Sequence, residues 1–142
     1  MKSWKPFLLL CALLLLCFTA ACTKKQSVRS VEPREAYGLL RNDFAILVDV
    51  REANEIASGM AEGAQWMPYT SKIETNSPEW NAWIQALPKD KEIIFYCRSG
   101  RRSGLAAAEI MAAKGFRASN MGGFEDWEKA GLPVRKGTPH QP

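Results

Sequence analysis

Histidine is almost absent from this 142-residue chain, and the only one, His140, lies two residues from the end. A Cys–His catalytic pair is therefore not expected, and neither is a metal site or a bound cofactor. Cysteine is scarce as well. Of four, Cys11 and Cys17 fall in an apolar N-terminal run and Cys22 follows it, which leaves Cys97 alone in the body of the sequence. Strong charge of one sign is also missing. The formal net charge is +4 with 19 Lys and Arg. Removing Lys2 and Lys5 with the N-terminal segment leaves 17 basic against 15 acidic residues, or about +2. With no basic stripe interleaved with aromatics, nucleic acid is not an expected partner. There is no internal repeat, and no apolar run is long enough to span a bilayer comfortably.

What is present begins with a targeting segment over residues 1–21. Lys2 and Lys5 precede an unbroken apolar run of twelve residues, Phe7 to Phe18, and the small residues Thr19, Ala20 and Ala21 follow. That is the layout of a secretory signal. A buried helix would show a one-sided stripe, whereas this run is apolar on every face. Cys22 directly after Ala20-Ala21 resembles the bacterial lipoprotein signal, although Thr19 stands where that family usually has leucine. The resemblance implies acylation of the Cys22 thiol and attachment to a membrane by a lipid anchor alone. Ordinary cleavage at the same place would instead give a soluble periplasmic protein. Either way the protein is expected in the periplasm or cell envelope, where an unpaired cysteine such as Cys97 flags reactivity.

Beyond a short polar tether, residues 22–29, the patterning predicts one domain over 30–135 and a disordered tail over 136–142. Ser30 is placed to cap a helix running through Pro33 and Tyr37 to Leu40. Ala45 to Val50 (AILVDV) and Glu92 to Tyr96 (EIIFY) read as strands buried on both faces, which suits a parallel sheet. Between them, Pro78 opens a helix with Trp80, Trp83, Ile84 and Leu87 on one face, expected to be core. Ser103 to Lys114 reads as an alanine-rich helix closed by Gly115, and Arg117 to Met121 as a short strand. Strands alternating with helices give an α/β fold, a mostly parallel sheet flanked by helices with right-handed crossovers. The strand order is not readable from this pattern.

The candidate site is the stretch strand–Cys97-Arg98-Ser99-Gly100-Arg101-Arg102-Ser103–helix. A strand delivers Cys97 to the carboxyl edge of the sheet, where open α/β sheets place their ligands. The loop then curls into a helix start, whose N–H groups lack helical partners and can turn toward an anion. The helix dipole and three arginines add positive potential. A thiol so placed is expected to ionise readily, and the thiolate is the nucleophile. Gly100 permits the tight curvature. Solvated loop charges are the bland alternative for the three arginines. Residues Cys97, Arg98, Ser99, Gly100, Arg101 and Arg102 are thus the candidate catalytic and substrate-binding set.

This arrangement resembles the rhodanese (thiosulfate sulfurtransferase) family, whose active loop is six residues starting with cysteine. Asp49-Val50-Arg51-Glu52, Gly59, Gly63-Ala64, Pro68 and the Gly122-Gly123-Phe124 stretch with Trp127 match further family segments. The likeness is nearest to small single-domain periplasmic rhodaneses of the phage-shock type. Two positions depart from the pattern: Met60 stands for the family's usual histidine and Glu62 for its proline. The resemblance implies a single rhodanese-like domain and transfer of a sulfur atom through a Cys97 persulfide. A small anionic donor such as thiosulfate would supply the sulfur, and cyanide or a thiol would accept it. Asp49 and Arg51 are read as scaffold residues that brace loops. Two other readings stay open: a non-catalytic persulfide-carrying or thiol-binding lipoprotein, and a cysteine phosphatase or arsenate reductase. Oligomeric state is not readable.

Overall fold

The computed structural model describes residues 27–136, apart from the side chains of 111–114. The signal segment, Cys22 and all but the first residue of the tail lie outside the described residues.

The two apolar runs form the centre of the sheet. Strands β1 (Arg29–Ser30), β2 (Ala45–Asp49), β3 (Met60–Ala61), β4 (Gln65–Trp66), β5 (Glu92–Cys97), β6 (Ala118–Gly123) and β7 (Val134–Arg135) appear in chain order. Five of them make a parallel sheet in the order β1-β6-β5-β2-β4, and β3 pairs with β7 in a separate antiparallel ribbon. Because alternate strand residues face opposite sides, β2 and β5 feed two cores. Val48, Ile93, Phe95 and Cys97 face one side, and Leu47, Ile94 and Tyr96 the other.

Helices cover both faces. On the first lie α3 (Pro78–Ala86) and α4 (Arg101–Lys114); on the second lie α1 (Pro33–Arg41) and α5 (Phe124–Lys129). The tryptophans of α3 are core, as expected. Trp80 and Trp83 stack at 5.3 Å, and each ring N–H finds an oxygen, on Glu109 at 3.1 Å and on Gln65 at 2.7 Å. In α4, Ala106 and Ala107 are fully buried, so the helix axis comes close to the sheet, while Ala108 faces solvent. Ser77 rather than an apolar residue starts α3, accepting from Trp80 N–H at 3.1 Å with Pro78 next to it.

Several boundaries differ from the sequence expectation. Ser30 does not cap α1. It pairs in β1 with Asn120 of β6, and Glu32 occupies the cap position. Sheet pairing of the backbone wins over a local capping bond. The helix after Cys97 begins at Arg101, two residues before Ser103, and β6 extends to Gly123. A π-helical turn over Tyr69–Ile73 joins β4 to α3, its ring closed by Glu74 N–H donating to the Tyr69 carbonyl at 2.8 Å.

The chain leaves β2 toward β4 and leaves β5 toward β6, in opposite directions. The carboxyl ends of β2 and β5 therefore flank the switch point of the sheet, where such folds open a crevice. Asp49 and Cys97 end those two strands.

Candidate functional site

Cys97 ends β5 buried, with 1% of its surface exposed. The next three residues curl back over it before α4 begins. Gly100 takes φ +85°, and its N–H donates to Cys97 Sγ at 3.2 Å. A Cβ on Gly100 would press against the backbone of Gly122, and one on Gly123 would stand 2.7 Å from the Arg98 carbonyl oxygen. The loop thus leans on the end of β6, and only glycine fits at the contact.

Ser103 lies in the first turn of α4 with its side chain directed under the loop. Its Oγ is 3.5 Å from Cys97 Sγ and 2.7 Å from Asn120 Oδ1. The hydroxyl does not cap the orphan N–H groups of its own helix; it serves the sulfur and a strand residue. Burial opposes ionisation of Cys97 most strongly. The Ser103 hydroxyl and the N–H groups of Ser103, Ser99 and Gly100 more than offset it, so the thiol is held below its ordinary value.

The three arginines separate by role. Arg98 and Arg101 are exposed, and Arg98 lines the cavity beside the loop. Arg102 is half-buried and makes a bidentate pair with Glu55, at 2.6 and 2.7 Å. Glu55 belongs to a short helix, α2 (Ala53–Ile56), and its Oε2 also accepts from Glu52 N–H at 2.9 Å. Arg102 therefore braces the loop helix against α2, and much of its charge is answered there. No sequence signal links Arg102 to Glu55, which is 47 positions away; only the fold brings them together. The bidentate Arg102 bond lowers the Glu55 carboxyl from 4.5 to about 2, against the opposing effect of burial.

This shift has a pH consequence. A carboxyl held below its ordinary value contributes stability that is complete above that value and is lost as pH falls through its folded value. The Glu55 contribution should therefore vanish between about pH 4.5 and 2. Urea midpoints followed through that range should fall more steeply for the wild type than for Glu55→Gln. Parallel curves would remove the pair from the stability of the fold.

Asp49 and Arg51 are braces, as read from the sequence. Both are buried, and the Arg51 guanidinium chelates Asp49 through Nε at 3.0 Å and Nη2 at 2.7 Å. Nη2 also donates to the Gly59 carbonyl at 2.7 Å, and the guanidinium lies 4.0 Å over the Phe124 ring. Met60, at the family's histidine position, is buried and pairs with Arg135 across β3 and β7. The backbone there is held by strand pairing with no imidazole.

An open cavity of about 540 Å³ lies beside the loop, lined by Arg51, Glu55, Arg98, Ser99, Phe124 and two glutamates, Glu125 and Glu128. A second, apolar cavity of about 350 Å³ lies between α3 and the segment after β4, and it shares no residue with the loop. Among the described residues no cluster of three His, Cys, Asp or Glu side chains could hold a metal ion. The arrangement is a buried sulfur facing inward-turned N–H groups, its thiol held below the ordinary value, with Arg98 at the mouth of the cavity beside it.

Comparison with known proteins agrees with this geometry. The profile of the rhodanese-like domain matches residues 32–130. A protein named sulfurtransferase from Allochromatium vinosum is 38% identical over 97 residues, covering 68% of this chain and 83% of that protein. Thiosulfate sulfurtransferase GlpE of Actinobacillus succinogenes is 28% identical over 106 residues, covering 73% and 87%. The solved structure of a rhodanese-related protein from Thermoplasma volcanium superposes with TM-score 0.59 at 26% identity, covering 75% of this chain and 97% of that one. On the sequence profile, the parallel sheet and the six-residue cysteine loop together, this chain belongs to the rhodanese-like domain family.

Proposed function

We propose that the protein is a sulfurtransferase in which Cys97 carries the sulfur in transit. The observation that carries this reading is the buried Cys97 sulfur at the head of a six-residue loop, with Gly100 N–H and the Ser103 hydroxyl within reach of it. In the first step the Cys97 thiolate attacks the outer sulfur of an anionic donor such as thiosulfate. The donor's S–S bond breaks and its electron pair leaves with sulfite. Cys97 is left as a persulfide, its negative charge facing the loop N–H groups. In the second step a thiophilic acceptor, cyanide or a thiol, takes the outer sulfur and returns the thiolate. Arg98 and Arg101 draw the anionic donor to the rim, while Arg102 stays with Glu55. The names of the relatives support the same class of reaction, and within the family we favour the small periplasmic phage-shock type. Exposure to thiosulfate should add the mass of one sulfur atom to the protein. No added sulfur would overturn the reading, and sulfur taken up but never passed to cyanide or a thiol would make the protein a carrier without turnover.

We further propose that the mature chain starts at Cys22 and is lipid-anchored on the far side of a bacterial inner membrane or on the outer membrane. The twelve-residue apolar run and Ala20-Ala21-Cys22 support this. The protein should pellet with membranes when expressed in full, and Cys22→Ala should release it or leave its precursor uncleaved. Wild-type protein found wholly in the soluble periplasmic fraction would point to ordinary cleavage instead.

A further inference from the structure

The Ser103 hydroxyl has one proton and two acceptors. One is Cys97 Sγ at 3.5 Å; the other is Asn120 Oδ1 at 2.7 Å. The orientation of the Asn120 carboxamide is fixed by its other bonds. Its Nδ2 donates to the Gly100 carbonyl at 2.8 Å, so Oδ1 must be the atom that accepts from Gly122 N–H at 3.0 Å and from Ser103. The Ser103 hydroxyl is accordingly committed to Asn120 when the sulfur is uncharged, and it can turn to the sulfur when charge develops there.

We propose that Asn120 is a positioning residue of the sulfur-transfer site, acting as the alternate acceptor that holds the Ser103 proton whenever Sγ is neutral. This rests on Cys97 being the reacting sulfur. In the attacking thiolate the charge is on Sγ, and the Ser103 hydroxyl donates to it. As the new S–S bond forms, the Sγ electron pair becomes the bonding pair, the donor's S–S bond breaks with its pair leaving on sulfite, and the charge of the persulfide lies on the outer sulfur. Sγ is then neutral, and the hydroxyl returns to Asn120 Oδ1 by rotation, with no proton transferred. Asn120 thereby stabilises the neutral state of Sγ and keeps the hydroxyl from binding the anion too tightly.

The sign of the effect separates this role from a structural one. Loosening the loop would withdraw N–H donors from the sulfur and make the thiol less acidic. Removing an alternate acceptor leaves the hydroxyl wholly to the thiolate and makes the thiol more acidic. Apart from the carboxylate that Asn120→Asp itself adds, the charged groups around the site are the same in every variant. They are Arg98, Arg101 and Arg102 of the loop and α4, Glu52 and Glu55 beside them, the Asp49–Arg51 pair at the end of β2, and Glu125, Asp126 and Glu128 of α5.

The test is the pH dependence of Cys97 alkylation by iodoacetamide in the full chain, read from the mass of the tryptic peptide 92–98. Asn120→Ala should move the midpoint to lower pH by about half a unit or more, the size of one exchanged hydrogen bond. Ser103→Ala should move it up. In the Ser103→Ala background Asn120→Ala should produce no downward shift. A midpoint that rises or stays in Asn120→Ala, or a downward shift that persists without the hydroxyl, would overturn the proposal. If Asn120→Ala does not fold, the near-isosteric Asn120→Asp decides. Its carboxylate holds the Ser103 proton more strongly, so the midpoint should rise further with the hydroxyl present than in the Ser103→Ala background. Equal rises would overturn the proposal. No sulfur donor enters this experiment, so a failure of persulfide formation would strike the sulfurtransferase reading and leave these midpoints unaffected.

Discussion

Cys97→Ser should lower thiosulfate-dependent sulfur transfer by about a thousandfold or more while leaving the fold intact. The loss follows from the chemistry of the substituted atom. A serine hydroxyl stays protonated at any pH the protein survives, and an alkoxide carrying sulfur has no counterpart to the persulfide. The fold survives because the position changes little. The new oxygen replaces a buried sulfur of similar reach, and the donors it needs are already there in Gly100 N–H and the Ser103 hydroxyl. Two measurements made together check both halves: turnover with thiosulfate and cyanide, and the thermal midpoint. Turnover within tenfold of wild type would remove Cys97 from the chemistry. The same variant separates sulfur from phosphate. A phosphatase loop of this general kind spaces its arginine for C-x5-R, which would need arginine at position 103, and Ser103 is there. Aryl phosphates should therefore be hydrolysed no faster by the wild type than by Cys97→Ser, and only the wild type should gain the mass of a sulfur atom.

The largest effect on stability is expected at Arg51. Its guanidinium and the Asp49 carboxylate are buried together, with side chains 4% and 0% exposed. Removing one member of such a pair leaves the other buried without its counter-charge, at a cost of about 3–5 kcal/mol. That is a large part of the total for a domain of this size, since small domains are stable by only about 5–15 kcal/mol. Arg51→Ala also leaves the Gly59 carbonyl without its donor and the Phe124 ring without the cation above it. Arg51→Lys should recover little, because one ammonium cannot reproduce the fork that spans Asp49 and Gly59. The double variant Asp49→Leu with Arg51→Met should be more stable than Arg51→Ala alone, since neither buried charge remains. Urea unfolding of the three variants tests this. A loss below about 1 kcal/mol for Arg51→Ala would mean that water reaches Asp49.

The parts of the fold legible in the sequence are those whose patterning is long enough to be unambiguous. AILVDV and EIIFY are short apolar runs rich in β-branched residues, and both became central strands. The tryptophan face of α3 and the alanines of α4 were equally plain. Strands β1, β3, β4 and β7 are two residues each, too short to show any period, and they exist only because neighbouring backbone offers partners. Of the candidate site, the sequence showed Cys97 and the loop, because both are contiguous. It showed neither Asn120, which lies in an unremarkable strand 23 positions from Cys97, nor Glu55, which reaches Arg102 from another helix. Both are contacts made across the fold, so neither local propensity nor motif spacing could register them. The division of labour among three adjacent arginines was hidden for the same reason.

The parallel direction of β1 fixes how the domain is presented. β1 runs alongside β6 with Arg29 level with Ser119, so the chain enters the fold toward the amino ends of the strands. Cys97 is level with Gly123, four residues further along β6, or about 13 Å at the rise of a strand. The chain thus joins the domain at one end of the sheet, and the Cys97 sulfur lies at the other. A leash on the N-terminus would hold the protein with its mouth turned outward, available to dissolved donors and to the thiols of other proteins, and would leave the surface it is tied to behind its back.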